Sequence, residues 1–237
     1  MDKKLTIIVA IVLALGLIGA SIGIGYYYGY AIKYEVHDIN YYIDRYPTYY
    51  DAKVAMFKDQ NKSIHSVDVC FLGDSLTDMC DTTNLYKPYK TINRGISGDT
   101  TFGLEDRLDV SAYAVNPKVV FMLIGINNIA NMLDNYESIV VKLKQNLPNT
   151  KIFILSLTPT TGFVASLNDQ VVEKNVSVKE IAERNNCTYV DIHTALLDPN
   201  TSELKEEYTS DGLHFSSKGY DVIASILKPL MKDSLGK

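Results

Sequence analysis

The chain has 237 residues, of which 46% are hydrophobic and 22% charged, with a formal net charge of -5. That length accommodates one domain and an appendage, and the composition is that of a protein with a packed core rather than a disordered or fibrous one. The acidic balance argues against nucleic acid as a partner, because phosphate binding needs clustered Lys and Arg, and Lys142, Lys144 and Lys151 are scattered.

From Leu5 to Ile32 there is no charged residue, and the 21 residues Leu5–Gly25 are dominated by Ile, Leu, Val, Ala and Gly. A helix of that length spans roughly 30 Å, the thickness of a bilayer's hydrocarbon core. Lys3 and Lys4 precede it, and Tyr26, Tyr27, Tyr28 and Tyr30 follow, as expected for a span held at the interface. Residues 1–32 are therefore expected to form a cytoplasmic N-terminus and a single-pass transmembrane anchor, with the rest of the chain outside the cell. The competing reading is a cleaved signal peptide, whose best site, Ile18-Gly19-Ala20, is poor. Residues 33–66 read as a polar, Tyr-rich stalk or edge helix, helical over Tyr49–Gln60, and residues 67–237 as the main domain.

Within that domain strands and helices alternate. Apolar runs at Val67–Leu72, Thr91–Asn93, Lys118–Ile124, Lys151–Leu157 and Thr188–Ile192 predict five strands. Helical patterns lie between them at Thr101–Val115, Tyr136–Leu147, Gln170–Arg184 and Ser217–Met231. Pro117, Pro148 and Pro159 mark boundaries. The alternation implies a parallel sheet covered on both faces, and continuous apolar strands fit that burial. In such sheets the site lies beyond the carboxyl ends of the strands.

The segments after the strands carry the chemistry. They are Gly73-Asp74-Ser75-Leu76, then Asn93-Arg94-Gly95-Ile96-Ser97-Gly98, then Gly125-Ile126-Asn127-Asn128, with Asp211-Gly212-Leu213-His214 before the last helix. Each alone reads as a turn, a helix cap or a helix start. Together, and on one edge of the sheet, they make a catalytic constellation. Three cysteines, Cys70, Cys80 and Cys187, have neither disulfide-framework nor metal-ligand spacing. Asp191 and His193 form a second polar pair at a strand end. Asp74 reads as a structural hydrogen-bond partner, and Asp78, Asp81, Tyr86 and Tyr89 as surface loop.

With these blocks in view, the stretch from Val67 to Leu230 resembles the GDSL/SGNH hydrolases. Gly73-Asp74-Ser75-Leu76 matches the first block, Gly95 the second, Gly125 and Asn127 the third, and Asp211 with His214 the last. Asn128 departs from the Asp usual after the third-block Asn. The resemblance implies a flavodoxin-like three-layer α/β/α sandwich and hydrolysis of esters without metal or organic cofactor.

The residues suit that chemistry. A serine hydroxyl needs an adjacent base, and an imidazole, titrating near ~6.5, supplies one. Ser75 is thus the expected nucleophile, His214 the base, and Asp211 the group that orients the imidazole. The Ser75 and Gly95 backbone N–H groups and the Asn127 amide are expected to form the oxyanion hole. The substrate is expected to be a small ester or acylated glycan carrying a short acyl group. The alternatives are an acyltransferase using the same site, a lipase or lysophospholipase, and a non-catalytic glycan-binding protein on the same fold. Oligomeric state is not legible in the sequence.

Overall fold

The computed structural model describes residues 38–236. From Ile39 onward the described residues form one compact unit. Its centre is a parallel sheet of β1 (Val67–Gly73), β2 (Thr91–Gly95), β3 (Pro117–Leu123), β4 (Lys151–Leu155) and β5 (Thr188–Val190), in the order β2-β1-β3-β4-β5. This is the flavodoxin-like arrangement, with its switch point between β1 and β3.

Successive side chains on a strand face opposite sides, so each central strand feeds two cores. Cys70, Leu72, Val120, Met122, Ile152 and Ile154 pack under α4 (Leu133–Asn146) and α5 (Asn168–Arg184). Val69, Phe71, Val119, Phe121, Phe153 and Leu155 pack on the other face under α6 (Ser217–Leu235). On that face Phe71, Phe121 and Phe153 stack across three adjacent strands, with centroids 5.6 and 4.8 Å apart. Burial on both faces is why these strands are continuous apolar runs.

The helix α1 (Tyr49–Gln60) belongs to the same compact unit. It is capped by Thr48, whose hydroxyl accepts from Asp51 N–H, and it buries Ala52, Lys53 and Phe57. The stretch predicted as one helix over Thr101–Val115 is instead three pieces: α3 (Thr101–Asp106), Leu108–Ser111 and a 3-10 turn at Tyr113–Val115. The break falls at Arg107, which is buried and hydrogen-bonded inward to the strand ends.

A sandwich preceded by a transmembrane helix is therefore corrected to the sandwich itself. Among the described residues no helix is long and apolar enough to cross a membrane. The Leu5–Gly25 run on which the span was read lies outside the described residues, as does the whole of 1–32.

Candidate active site

β1 ends at Gly73, and Asp74 caps the one-turn helix α2 (Ser75–Asp78) by accepting from Leu76 N–H at 3.0 Å. Ser75 thus opens a helix at the carboxyl edge of the sheet. Across from it, the 211–214 loop is folded by Asp211, whose Oδ1 accepts from Leu213 N–H at 3.0 Å and His214 N–H at 2.8 Å. This Asx turn aims the imidazole. His214 Nε2 lies 2.9 Å from Ser75 Oγ, and Nδ1 lies 2.7 Å from Asp211 Oδ2. Residues separated by 139 positions are brought into a continuous hydroxyl–imidazole–carboxylate chain. α6 follows directly, and its Tyr220 hydroxyl donates to Leu76 O at 3.0 Å, tying the two halves of the site together.

The Asp211 carboxyl is held down at about 2, first by the hydrogen bond with the His214 ring and then by backbone N–H donors. It is therefore an anion throughout the neutral range. Asp74 has the opposite environment. Burial, reinforced by the nearby Asp99 charge, pushes its carboxyl up to about 7, against the Leu76 N–H and His214.

The donors around Ser75 fall differently from the sequence expectation at one position. Gly95 N–H is donated to Asn93 Oδ1 at 2.8 Å, and a side chain at Gly95 would run into the Asp78 backbone. Gly95 therefore lets β2 approach α2 closely and is not a free donor. Three residues on, Asp99 N–H to Ile96 O at 3.1 Å closes a turn in which Gly98 has φ +80°, as in a type II turn. The space around Gly98 is open, and among the described residues its N–H has no protein acceptor. Sequence reasoning missed Gly98; the signal that pointed to it was the second glycine of Gly95-Ile96-Ser97-Gly98. Asn127 follows the bend at Gly125, where φ is +129°, and donates one amide N–H to Asp99 O at 2.8 Å. That bond fixes the amide against the Gly98 turn and leaves its second N–H without a partner among the described residues.

The turn is braced from behind. Arg107 pairs with Asp99 at 2.8 Å and donates to Arg94 O, Gly73 O and Ser111 Oγ, all inside the fold. Burial raises the Asp99 carboxyl and Arg107 opposes that rise. On the other side Asp78 accepts from Ser97 N–H, Ser97 Oγ, Tyr49 hydroxyl and Lys53 Nζ. Burial alone would raise Asp78, but these donors outweigh it and hold the carboxyl below its ordinary range. Asn93 Nδ2 donates to Thr77 O at 2.6 Å and to Cys80 O at 2.9 Å, closing the end of α2. Asp78 and Tyr86, expected on a surface loop, lie elsewhere: the Asp78 side chain is turned inward into this support, and Tyr86 is buried against Phe71 in the core.

Asn128, the departure from the family pattern, accepts from Thr101 N–H and donates to Thr101 Oγ1, anchoring α3. Asp191 caps the short helix after β5 through Thr194 and makes no hydrogen bond with His193. The three thiols are free, and among the described residues no group of three or more His, Cys, Asp or Glu is placed to hold a metal ion. The cavity beneath α2, lined by Phe71, Leu76, Tyr86 and Phe121, measures only about 30 Å³.

Comparison with known proteins agrees with this geometry. Residues 71–222 match the model of the GDSL-like Lipase/Acylhydrolase family. Platelet-activating factor acetylhydrolase IB subunit alpha2 of Rattus norvegicus is 28% identical over 173 residues, covering 69% of this chain and 74% of its own. Acetylxylan esterase of Geobacillus stearothermophilus is 26% identical over 153 residues, covering 57% and 68%. A solved structure from Streptococcus pneumonia, described as a platelet activating factor, superposes with a TM-score of 0.72 at 26% identity, covering 81% of this chain and 95% of its own. The match spans the nucleophile block, both glycine turns and the Asp211–His214 loop, and the chain belongs to the GDSL-like Lipase/Acylhydrolase family as an ester hydrolase.

Proposed function

We propose that the protein removes short acyl groups, acetyl above all, from hydroxyls of a small ester or glycan through an acyl-enzyme at Ser75. The observation that carries the reading is the unbroken Ser75–His214–Asp211 hydrogen-bond chain. In the first step His214 Nε2 takes the Ser75 proton as Oγ attacks the ester carbonyl. The negative charge that develops on the carbonyl oxygen is met by Ser75 N–H, Gly98 N–H and the unused Asn127 amide N–H. Collapse of this intermediate breaks the bond to the alcohol oxygen, which takes the proton from His214. Water then attacks the acyl-enzyme with His214 again as base, releasing the acid and restoring Ser75. Asp211 stabilises the imidazolium in both steps without leaving its charged state.

The lean toward a short acyl group is supported by how few described residues remain outside the sheet and its covering helices to build a lipid-binding cap. It is supported too by the names of two relatives, an acetylhydrolase and an acetylxylan esterase. We also place the activity outside the cytoplasm, on the uncharged run Leu5–Ile32 after Lys3 and Lys4. Fractionation of expressing cells checks that: activity confined to the cytosol refutes it.

Hydrolysis of 4-nitrophenyl acetate and of a long-chain analogue by the protein and by Ser75→Ala tests the rest. The expected result is cleavage of the acetate, poor cleavage of the long ester, and loss of at least ~10³-fold turnover in Ser75→Ala. Normal turnover by Ser75→Ala refutes the nucleophile. Preference for the long ester refutes the acyl assignment and returns the lipase reading.

A further inference from the structure

The reaction chemistry orients the substrate. The alcohol oxygen must come within hydrogen-bond reach of His214 Nε2 to receive its proton. The alcohol half of the ester therefore extends over the loop that carries His214, and the acyl half lies away from it. What stands beside that loop is the segment Gly162–Leu167, a 3-10 turn with no buried residue. Thr161 N–H donates to Gly212 O at 2.8 Å, and Gly212, at φ +91°, has no room for a side chain because the Thr161 carbonyl occupies the space. The segment is thus clamped to the catalytic loop two residues from His214.

Its tip carries Phe163, which is 89% exposed, the most exposed large hydrophobic among the described residues. The base of the loop is closed by Thr160 Oγ1 to Val164 O at 2.8 Å, Thr160 N–H to Asn168 Oδ1 at 2.8 Å and Asn168 Nδ2 to Thr160 O at 2.9 Å. An aromatic ring held in water by a braced loop buries little against the fold and leaves its face open to a ligand. Beside Thr161 opens a cleft of about 400 Å³ whose lining includes four carboxylates, Asp198, Glu203, Glu206 and Glu207, together with Thr201 and a single cation, Lys205. Carboxylates and hydroxyls are acceptors for sugar hydroxyls, and the negative field disfavours acidic alcohols.

We propose that Phe163 is a specificity-determining platform for the alcohol half of the substrate, a neutral pyranose ring whose hydroxyls are received by the adjoining carboxylate cleft. The ring face of Phe163 covers the apolar C–H face of the sugar, while Glu203 and Glu206 accept from its hydroxyls. This rests on the reading of Ser75 as nucleophile and His214 as proton donor, and it names the leaving group of that same site.

The test measures kcat and KM for ethyl acetate and for a mono-O-acetylated methyl pyranoside. Phe163→Ala, at a fully solvated position, is expected to raise KM for the pyranoside about tenfold, about 1.4 kcal/mol, with kcat changed less than ~2-fold and ethyl acetate unaffected. Phe163→Trp is expected to restore the wild-type KM. Equal effects on both esters, or none on either, overturn the platform. Glu206→Gln is expected to raise KM for the pyranoside alone, and an unchanged KM overturns the cleft as the hydroxyl-binding part. Failure of the underlying reading is separate: it shows as undiminished turnover in Ser75→Ala, whatever Phe163 does.

Discussion

At the scale of single residues, the two glycines after β2 separate packing from chemistry. Gly95 has no space for a methyl group because the Asp78 backbone occupies it, and its N–H is already engaged by Asn93. Gly95→Ala must push β2 from α2, and overpacking of this kind costs about 1–3 kcal/mol. Gly98 has open space but φ +80°. Gly98→Ala is expected to keep the fold at a cost of about 1 kcal/mol or somewhat more, while turnover falls through a displaced N–H. Urea unfolding and 4-nitrophenyl acetate kinetics on the two variants distinguish them: a larger stability loss at Gly95, a larger kcat loss per unit stability at Gly98. Asn127→Ala is the companion test, with kcat expected to fall ~10²–10³-fold and the melting temperature nearly unchanged. The residues that do chemistry were legible, because Ser75, Asn127, Asp211 and His214 are recognisable by type and order. The choice between Gly95 and Gly98 was not, because it depends on which N–H a neighbouring side chain takes.

At the scale of elements, the site depends on buried charges that no local pattern announces. Asp99 and Arg107 are eight positions apart, on either side of α3, and a helical reading through Thr101–Val115 would have pointed Arg107 elsewhere. In the fold Arg107 instead breaks the helix and joins Asp99 to the carbonyls of Gly73 and Arg94, at the ends of β1 and β2. Arg107→Met leaves Asp99 buried without its partner, and removal of one member of such a pair costs about 3–5 kcal/mol. A shift in urea midpoint with unchanged slope is the expected reading. Asp74 adds a pH signature. Its carboxyl is raised to about 7 in the fold by burial, against about 3.9 when unfolded. Between those values the native state holds more protons than the unfolded one, so this group's contribution is full below about pH 4 and is lost as pH rises through about 7. Asp74→Asn retains an acceptor for Leu76 N–H and cannot titrate. Melting temperatures from pH 4 to 8 should therefore fall less steeply toward neutral pH in Asp74→Asn than in the parent, and parallel profiles would refute the assignment.

At the scale of the whole molecule, the strands were legible for the same reason that the sheet is stable: parallel strands buried on both faces must be apolar throughout. The place of the Tyr49–Gln60 helix was not legible, because its sequence is polar and its contacts are to charges far along the chain. Phe57 is fully buried, with the Arg94 guanidinium 4.4 Å from its ring centre, while Gln60 and Asn61 receive the Arg94 donors at 2.7 and 2.6 Å. Lys53 and Tyr49 reach Asp78, which in turn holds Ser97 beside the Gly98 turn. The helix thus completes the core on one side and braces the oxyanion turn on the other. Phe57→Ala is expected to cost about 3–5 kcal/mol, and a fragment beginning at Val67 to lose both the cooperative unfolding transition and esterase activity. A fragment beginning at Ile39 keeps every one of these contacts and should match the full chain in kcat/KM for 4-nitrophenyl acetate. If the Val67 fragment unfolds cooperatively and turns over ester as fast as the Ile39 fragment, the helix is an accessory to the hydrolase fold and its link to the Gly98 turn has no functional weight.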